Sequence, residues 1–415
     1  MLKIIFPVLA ISLLQIVSPL CAFAANAFDV EAATNAYVAK VPPAVRANAD
    51  AYFEGGYWLL LIDFALTALL SIMLLAGKWS AAMRNLSERM TRRKPVQTFL
   101  YWCQYTLVTT AILFPMTIYE GYFREHKYGF SNQTLGEWMG DQGKEFLLTR
   151  ILGGLMVATL YGVIRRAGRN WWILGTVVAS VFMALLLFIS PVFIAPMFNK
   201  YTKLEDPVIR DPILRMARSN SIDVDDVYIV DESRQSKRVS ANVSGFLGTE
   251  RISLNDNLLN SCSLAEIESV MGHEMGHYVL NHMYYYFLFF FILIAAGFAF
   301  LRGSFHWVVQ RKGAAWDLRG VGDTAGLPLF VLLLSLYFFL LTPVTNSFSR
   351  MQEVEADLFG MNVSRQPDGY AEAVLKTGEY RKLDPGSVEE ALFFDHPSGS
   401  RRIRMAMQWK AENLP

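Results

Sequence analysis

Long apolar runs alternate with polar stretches along this chain. Six of the runs approach the length of a transmembrane helix, and they occupy residues 57–77, 99–119, 151–164, 171–194, 283–301 and 327–344. A bilayer core is crossed by about 20 apolar helical residues, so these runs predict six membrane spans, of which the third is short. We therefore expect a predominantly α-helical, polytopic membrane protein.

A further apolar run begins after Lys3 and ends before Ala22-Phe23-Ala24. Residues 1–24 thus have the basic, apolar and small-residue sections of a secretory signal peptide. The run is also nearly long enough to be an uncleaved first transmembrane helix. The number of spans is then six if the leader is removed and seven if it stays.

The runs divide the chain into a predicted order of regions. After the leader, residues 25–198 form an N-terminal transmembrane region, and 283–344 hold the last two spans. The polar regions 199–282 and 345–415 lie on either side of that pair. Because both follow a span that ends on the same side, we expect them to form one soluble domain that is split in sequence.

Local patterns in the first polar region predict a helix and a small β-sheet. The helix begins at Asp206-Pro207, which are N-cap and first-turn residues, and ends near Arg218. Strands are expected at 227–230, 238–244 and 251–254, the last two as a hairpin. An extended peptide could add to the hairpin edge, and Asn242 is the residue of interest on that strand. A purely structural hairpin is the alternative.

Composition supports a membrane protein and excludes some partners. The 415 residues are 53% hydrophobic and 13% aromatic, which is too apolar for an ordinary soluble enzyme. The formal net charge of +1 and the lack of a basic-aromatic patch argue against nucleic acid as a partner. The three cysteines have no C-x-x-C spacing, so a disulfide framework or cysteine zinc site is not expected. No pattern indicates an oligomeric state.

Lysine and arginine concentrate in three of the loops between spans, at 78–94, 165–169 and 302–319. Such loops are retained in the cytoplasm, so we expect all three to face it. Both polar regions then lie on the outer side, in agreement with an export signal. The alternative is that the short loops of a compact protein break this rule.

The chemistry of the chain centres on His273-Glu274-Met275-Gly276-His277. Ser263 and Glu266 form a capping-box pattern that starts a helix here. His273 and His277, four residues apart, share one helix face and can ligate one zinc ion, while Glu274 can act as general base. The alternative is a chance motif of packed or exposed histidines.

A catalytic zinc site of this kind needs a third protein ligand. Glu353 and Asp357 share a face of a helix that follows the last span, whereas Glu355 points about 160° away from Glu353 in an ideal helix. Glu353 is therefore a candidate ligand, and Asp357 can hydrogen-bond a ligand histidine. A solvated acidic helix face is the alternative.

Together these motifs resemble the CAAX prenyl protease 1 family of integral-membrane zinc metallopeptidases. The resemblance covers about 57–404, and it rests on five stretches: 194–205, 240–245, 273–282, 349–357 and 396–403. It implies a barrel of about seven transmembrane helices around a large chamber, closed at one end by a split gluzincin-type catalytic domain.

The resemblance also implies a role for each matching residue. One zinc ion per chain would be held by His273, His277 and Glu353, with Glu274 as the general base. The other matching positions are Asp357 behind a zinc ligand, Asn242 on the strand that binds substrate, His396 near the scissile carbonyl, and Arg402 bracing the glutamate ligand.

We therefore expect a membrane-embedded zinc endopeptidase that acts on extended polypeptides. Val243 and Ser244 replace an aromatic-containing stretch of the family, and the leader and outward-facing domain are unlike those of eukaryotic members. These departures indicate a bacterial-type inner-membrane protein with a periplasmic catalytic domain. The alternatives are a zinc-stabilised scaffold without activity and a site-two-type protease that cleaves within the membrane.

Overall fold

The computed structural model describes residues 28–245 and 250–414, and the predicted leader lies outside this part of the chain. The described residues are mostly helical. The helices are α1 Val30–Val38, α2 Pro43–Ala76, α3 Trp79–Met90, α4 Lys94–Ile118, α5 Glu125–Lys127, α6 Leu135–Leu148, α7 Gly154–Arg166, α8 Trp171–Ile189, α9 Pro207–Ser219, α10 Asp256–Ser261, α11 Leu264–Val279, α12 His282–Lys312, α13 Leu327–Ser364, α14 Pro367–Thr377, α15 Ser387–Phe393 and α16 Gly399–Asn413.

Five helical stretches of the described chain are long and apolar enough to cross a membrane. They are Pro43–Ala76, Leu135–Arg166, Gly168–Met197, His282–Lys312 and Thr324–Ser364. The protein is thus a multi-pass membrane protein, and its described residues contain one helix of this kind fewer than the six spans expected. The difference is the run 99–119. It lies in α4, a helix of 25 residues whose interior includes polar groups such as Gln104, which donates hydrogen bonds to Ser87 of α3.

The predicted short span 151–164 is the second half of a much longer helix. A π-helical turn, Thr149–Gly153, joins α6 to α7 without a break, and Thr134 caps the start of α6 in a capping box with Glu137. The α6 half carries charged residues, including Asp141, so its sequence has no continuous apolar run. The apolar run at 151–164 therefore predicted a start for this helix that is too late in the sequence.

The polar region before α10 forms a four-stranded sheet in the order β1-β2-β4-β3. The strands are β1 Tyr201–Lys203, β2 Val227–Val230, β3 Ala241–Ser244 and β4 Arg251–Asn255. β3 and β4 form the expected antiparallel hairpin, in which Asn242 is opposite Ser253. β2 and β4 are parallel, and the three-residue β1 was not expected from its sequence. Because β3 pairs with β4 alone among the described strands, it forms a free edge of this sheet.

The three positively charged loops meet at one end of the helix bundle. Arg165 donates to the carbonyl of Gly322 at 2.9 Å, and Arg319 donates to Glu88 at 2.9 Å. Arg84 reaches across the same end and donates to Asp323 at 2.6 Å, with both side chains almost fully buried. At 1.5 Å per residue, α13 carries Glu353 about 40 Å beyond its first turn, so the candidate metal ligands lie at the other end.

Replacement of Arg84 by Met should destabilise the protein by about 3–5 kcal/mol, because it leaves the Asp323 carboxylate buried without its partner. The thermal unfolding midpoint of the purified protein in detergent measures this effect. Arg319→Gln is the matched control, since its pair with Glu88 is half exposed and should contribute less than about 1 kcal/mol. Equal midpoints for the two variants would contradict the anchoring role of Arg84.

Candidate active site

The helix α11 is held against the sheet by one face and presents its chemistry on another. Its start is fixed by the predicted capping box, in which Ser263 and Glu266 each bond the other's backbone N–H. Ile267, Met271 and Met275 follow at four-residue intervals and are fully buried in a core that includes β4 residues. This stripe directs the two histidines of the motif away from the sheet and toward α13.

α11 and α13 cross with their backbones in contact. A Cβ atom on Gly360 would lie 2.7 Å from the backbone nitrogen of His273, and one on Gly272 would lie 2.9 Å from the carbonyl oxygen of Gly360. One turn further along, a Cβ atom on Gly276 would lie 3.0 Å from the Cα of Ala356. Only small residues fit at such a crossing, and it brings the acidic face of α13 within reach of the histidines.

The crossing brings His273, His277 and Glu353 around one point. One ligand atom from each of the three lies within 4.8 Å of the others. Glu353 Oε2 is 3.4 Å from His273 Nε2, and Glu353 Oε1 is 3.5 Å from His277 Nε2. Two imidazoles and one carboxylate are the donor set of catalytic zinc sites that keep a fourth position open for water.

The hydrogen bonding of Glu353 also fits a cation. Its Oε2 atom is buried and, among the described residues, accepts no well-aligned hydrogen bond, although His396 Nε2 is 3.2 Å away. A buried carboxylate oxygen without a donor is costly unless a positive charge faces it. The residues present therefore suit a divalent metal ion.

The orientation of His273 is fixed from behind by Asp357. Its Nδ1 lies 2.7 Å from Asp357 Oδ1, and because a carboxylate can only accept, Nδ1 carries the proton and Nε2 is free to ligate. Arg402 donates two hydrogen bonds to Asp357, at 2.9 and 2.6 Å, and one to Tyr370 at 2.8 Å. We expected Arg402 to brace Glu353, but its bidentate pair is one helical turn away, where α16 packs against α13.

His277 is oriented by two residues to which sequence reasoning assigned no role. Its Nδ1 is 2.8 Å from His282 Nδ1, and His282 Nε2 is 3.2 Å from a carboxylate oxygen of Glu355. Glu355 can only accept, so it fixes the proton on His282 Nε2, and His282 Nδ1 then accepts the proton of His277. The Nε2 lone pair of His277 is thereby turned toward Glu353. The signal available in the sequence was the third histidine, five residues after His277.

Glu274 lies in a cavity of about 210 Å³ beside these residues, together with His396. His396 Nδ1 is 2.9 Å from Asp395, which leaves Nε2 directed at Glu353. The start of the edge strand, including Ala241, lines the same cavity. Asn242 does not, and instead lines an apolar cavity among the transmembrane helices.

The electrostatics suit acid–base chemistry at neutral pH. Burial raises the pKa of Glu274 to about 7, and the charge of Glu353 acts in the same direction. A carboxyl group with such a pKa can both take and return a proton. Burial lowers the pKa of His277 to about 4, so its imidazole is neutral and has a lone pair for a metal.

The membrane helices and this site together define a multi-pass membrane metallopeptidase. Two family models cover nearly the whole chain: residues 36–200 match the CAAX prenyl protease N-terminal region with five membrane helices, and residues 203–410 match peptidase family M48. The chain belongs to peptidase family M48.

Relatives agree with this assignment. The chain is 31% identical over 379 residues to an uncharacterized metalloprotease, YhfN, of Bacillus subtilis, and this match covers 90% of the chain and 87% of the relative. It is 30% identical over 294 residues to a CAAX prenyl protease 1 homolog of rice, covering 70% and 68%. The crystal structure of S. mikatae Ste24p has the same fold, with a TM-score of 0.75, 21% identity and coverage of 91% and 94%.

Replacement of Gly360 by Ala should push α13 away from α11, because the added methyl group would meet backbone atoms that cannot move aside. We expect a loss of about 1–3 kcal/mol in stability and a content of bound metal well below one per chain after zinc loading. Thermal unfolding and metal analysis of the purified protein measure both.

Gly303→Ala is the control for this variant. Gly303 lies in α12, and a Cβ atom there has no neighbour within 4 Å. If Gly360→Ala matched this control in stability and metal content, the close crossing would not be what assembles the site.

Proposed function

We propose that this metallopeptidase is a zinc-dependent endopeptidase that cleaves extended polypeptides. The observation that carries the proposal is the convergence of His273, His277 and Glu353 on one point beside the buried Glu274. That arrangement separates the residues that hold a metal from the one that moves a proton, as a metal-assisted hydrolase requires. The relatives that are named CAAX prenyl proteases support peptide-bond hydrolysis as the reaction.

Each side chain has a defined task in this mechanism. His273, His277 and Glu353 would hold the zinc ion, which would supply Lewis acidity for the peptide carbonyl and lower the pKa of water toward about 7. Glu274 accepts the proton of the attacking water and delivers it to the leaving amine. His396, with both ring nitrogens protonated, donates from Nδ1 to Asp395 and from Nε2 to the developing oxyanion.

The free edge of β3 is the proposed guide for the substrate. An extended peptide that adds there lies beside α11 and passes the cavity that holds Glu274. Folded proteins cannot present an extended strand and should be poor substrates. Asn242, on the same strand, is the proposed side-chain contact to the peptide backbone.

The proposed location is a bacterial inner membrane, with the catalytic end in the periplasm. The meeting of the three positively charged loops at one end of the bundle supports this orientation, because such loops stay in the cytoplasm. The metal site lies at the opposite end of α13. Residues 1–24 would serve as the export signal.

Glu274→Gln should retain one zinc ion per chain while cleavage falls by at least about 100-fold, because the ligands are intact but the proton acceptor is gone. Cleavage of an unstructured peptide library, with and without a prenyl group, measures the rate, and metal analysis measures the zinc. Prenyl-independent cleavage would separate this protein from CAAX processing.

Glu268→Gln is the matched control in the same helix, since Glu268 lies outside the cavity and bonds Gln366 at 3.0 Å. It should cleave at the wild-type rate. If the wild-type protein and both variants hold zinc and none of them cleaves any peptide, the non-catalytic scaffold becomes the better account.

Alkaline phosphatase fusions test the orientation, because this reporter is active only where its disulfides can form. In a Gram-negative host, a fusion after Asn413 should be active and a fusion after Arg92 should be inactive. The opposite pattern would place the catalytic end in the cytoplasm.

A further inference from the structure

Two arginines line the cavity that holds Glu274, and they differ in how their donors are used. The guanidinium of Arg402 donates from Nε and Nη2 to Asp357 and Tyr370. Among the residues that the structure describes, the guanidinium of Arg381 makes no hydrogen bond and no ion pair. Its Cζ atom lies 5.7 Å from the centroid of the Tyr380 ring.

The surroundings of Arg381 do not neutralise it. Asp395 interacts electrostatically with the Arg381 guanidinium, but neither of its carboxylate oxygens is within ion-pair distance. The Oδ1 atom of Asp395 lies instead 2.9 Å from His396 Nδ1. A guanidinium presents five N–H donors in a planar fork that matches a carboxylate. An unpaired fork of this kind, in the cavity where catalysis is proposed, is suited to a carboxylate from outside the protein.

The position of Arg381 places it along the course of a bound peptide. Val239, Ser240 and Ala241, at the start of the free edge strand, line the same cavity. Arg381 also borders a second cavity of about 360 Å³. A chain that passes Glu274 can therefore continue past Arg381 without leaving the protein surface.

We propose that Arg381 determines specificity by binding a carboxylate of the substrate polypeptide close to the cleaved bond. This inference rests on the proposed peptidase function. The carboxylate comes from the C-terminus of the substrate or from an acidic side chain, because both present the same two oxygen atoms to the guanidinium.

Peptide binding can be measured without turnover in the zinc-loaded, full-length Glu274→Gln protein. The probes are fluorescent peptides of one sequence in three forms: a C-terminal acid, a C-terminal amide, and an amide with one Gln replaced by Glu. The better of the two carboxylate forms should bind on the order of 10-fold more tightly than the plain amide. Adding Arg381→Gln should abolish that difference, and adding Arg381→Lys should restore part of it.

Arg404→Gln is the matched control, since the Arg404 side chain is 67% exposed and lies outside the cavity. It should leave the preference unchanged. Thermal unfolding of each variant shows whether it is folded. Tighter binding of the C-terminal acid alone identifies the chain terminus as the source, and tighter binding of the Glu peptide identifies a side chain.

Equal binding of all three peptides when Arg381 is intact would overturn the assignment, as would a preference that survives Arg381→Gln. Cleavage by the protein with Glu274 intact is a separate measurement. If that protein cleaves no peptide, the peptidase proposal is wrong. The carboxylate preference is tested separately, by the binding constants alone.

Discussion

The structure depends on a backbone-to-backbone crossing of two helices. Gly272 and Gly276 of α11 meet Ala356 and Gly360 of α13 at distances where a larger side chain would collide with main-chain atoms. Helices with larger residues at the contact pack about 8–10 Å apart, which would separate the histidine face from the acidic face. The small residues therefore position Glu353, although none of them touches the proposed reaction.

The same helix α13 connects the two ends of the molecule. At one end, the connection to α13 is anchored by Asp323, which is buried against Arg84 and caps the short turn before the helix. At the other end, α13 supplies Glu353 and Asp357. A helix of 38 residues thus joins the charged end of the bundle to the candidate site, which ties the position of the site to the packing of the membrane helices.

Each proposed ligand histidine is supported by its own line of hydrogen bonds. His273 is backed by Asp357 and Arg402, and His277 by His282 and Glu355. In both lines a carboxylate that can only accept fixes the tautomer of an imidazole, so both Nε2 atoms present lone pairs to the same point. Both carboxylates lie on α13, whereas His282 and Arg402 come from α12 and α16. The sequence predicted the support from Asp357 but not that from His282 and Glu355.

The sequence by itself determined the features that are local. The capping box at Ser263, the helical spacing of His273 and His277, the pattern of the hairpin and most of the apolar spans depend on neighbours within a few residues. Side-chain chemistry also singled out Glu353 and Asp357, because they share a helix face four residues apart. The helix 135–166 was the exception, because charged residues interrupt the apolar run in its first half.

Tertiary structure alone decided how these elements meet. Helical spacing placed Glu353 and Glu355 on different faces of one helix, but it could not show that Glu355 supports His277 through His282. Nor could it show that Arg402 pairs with Asp357, because that depends on where α16 lies against α13, and the two residues are 45 positions apart. Contacts of this kind arise from the packing of distant segments, so only the folded chain shows that Arg381 lines the same cavity as Glu274 with its guanidinium unpaired among the described residues.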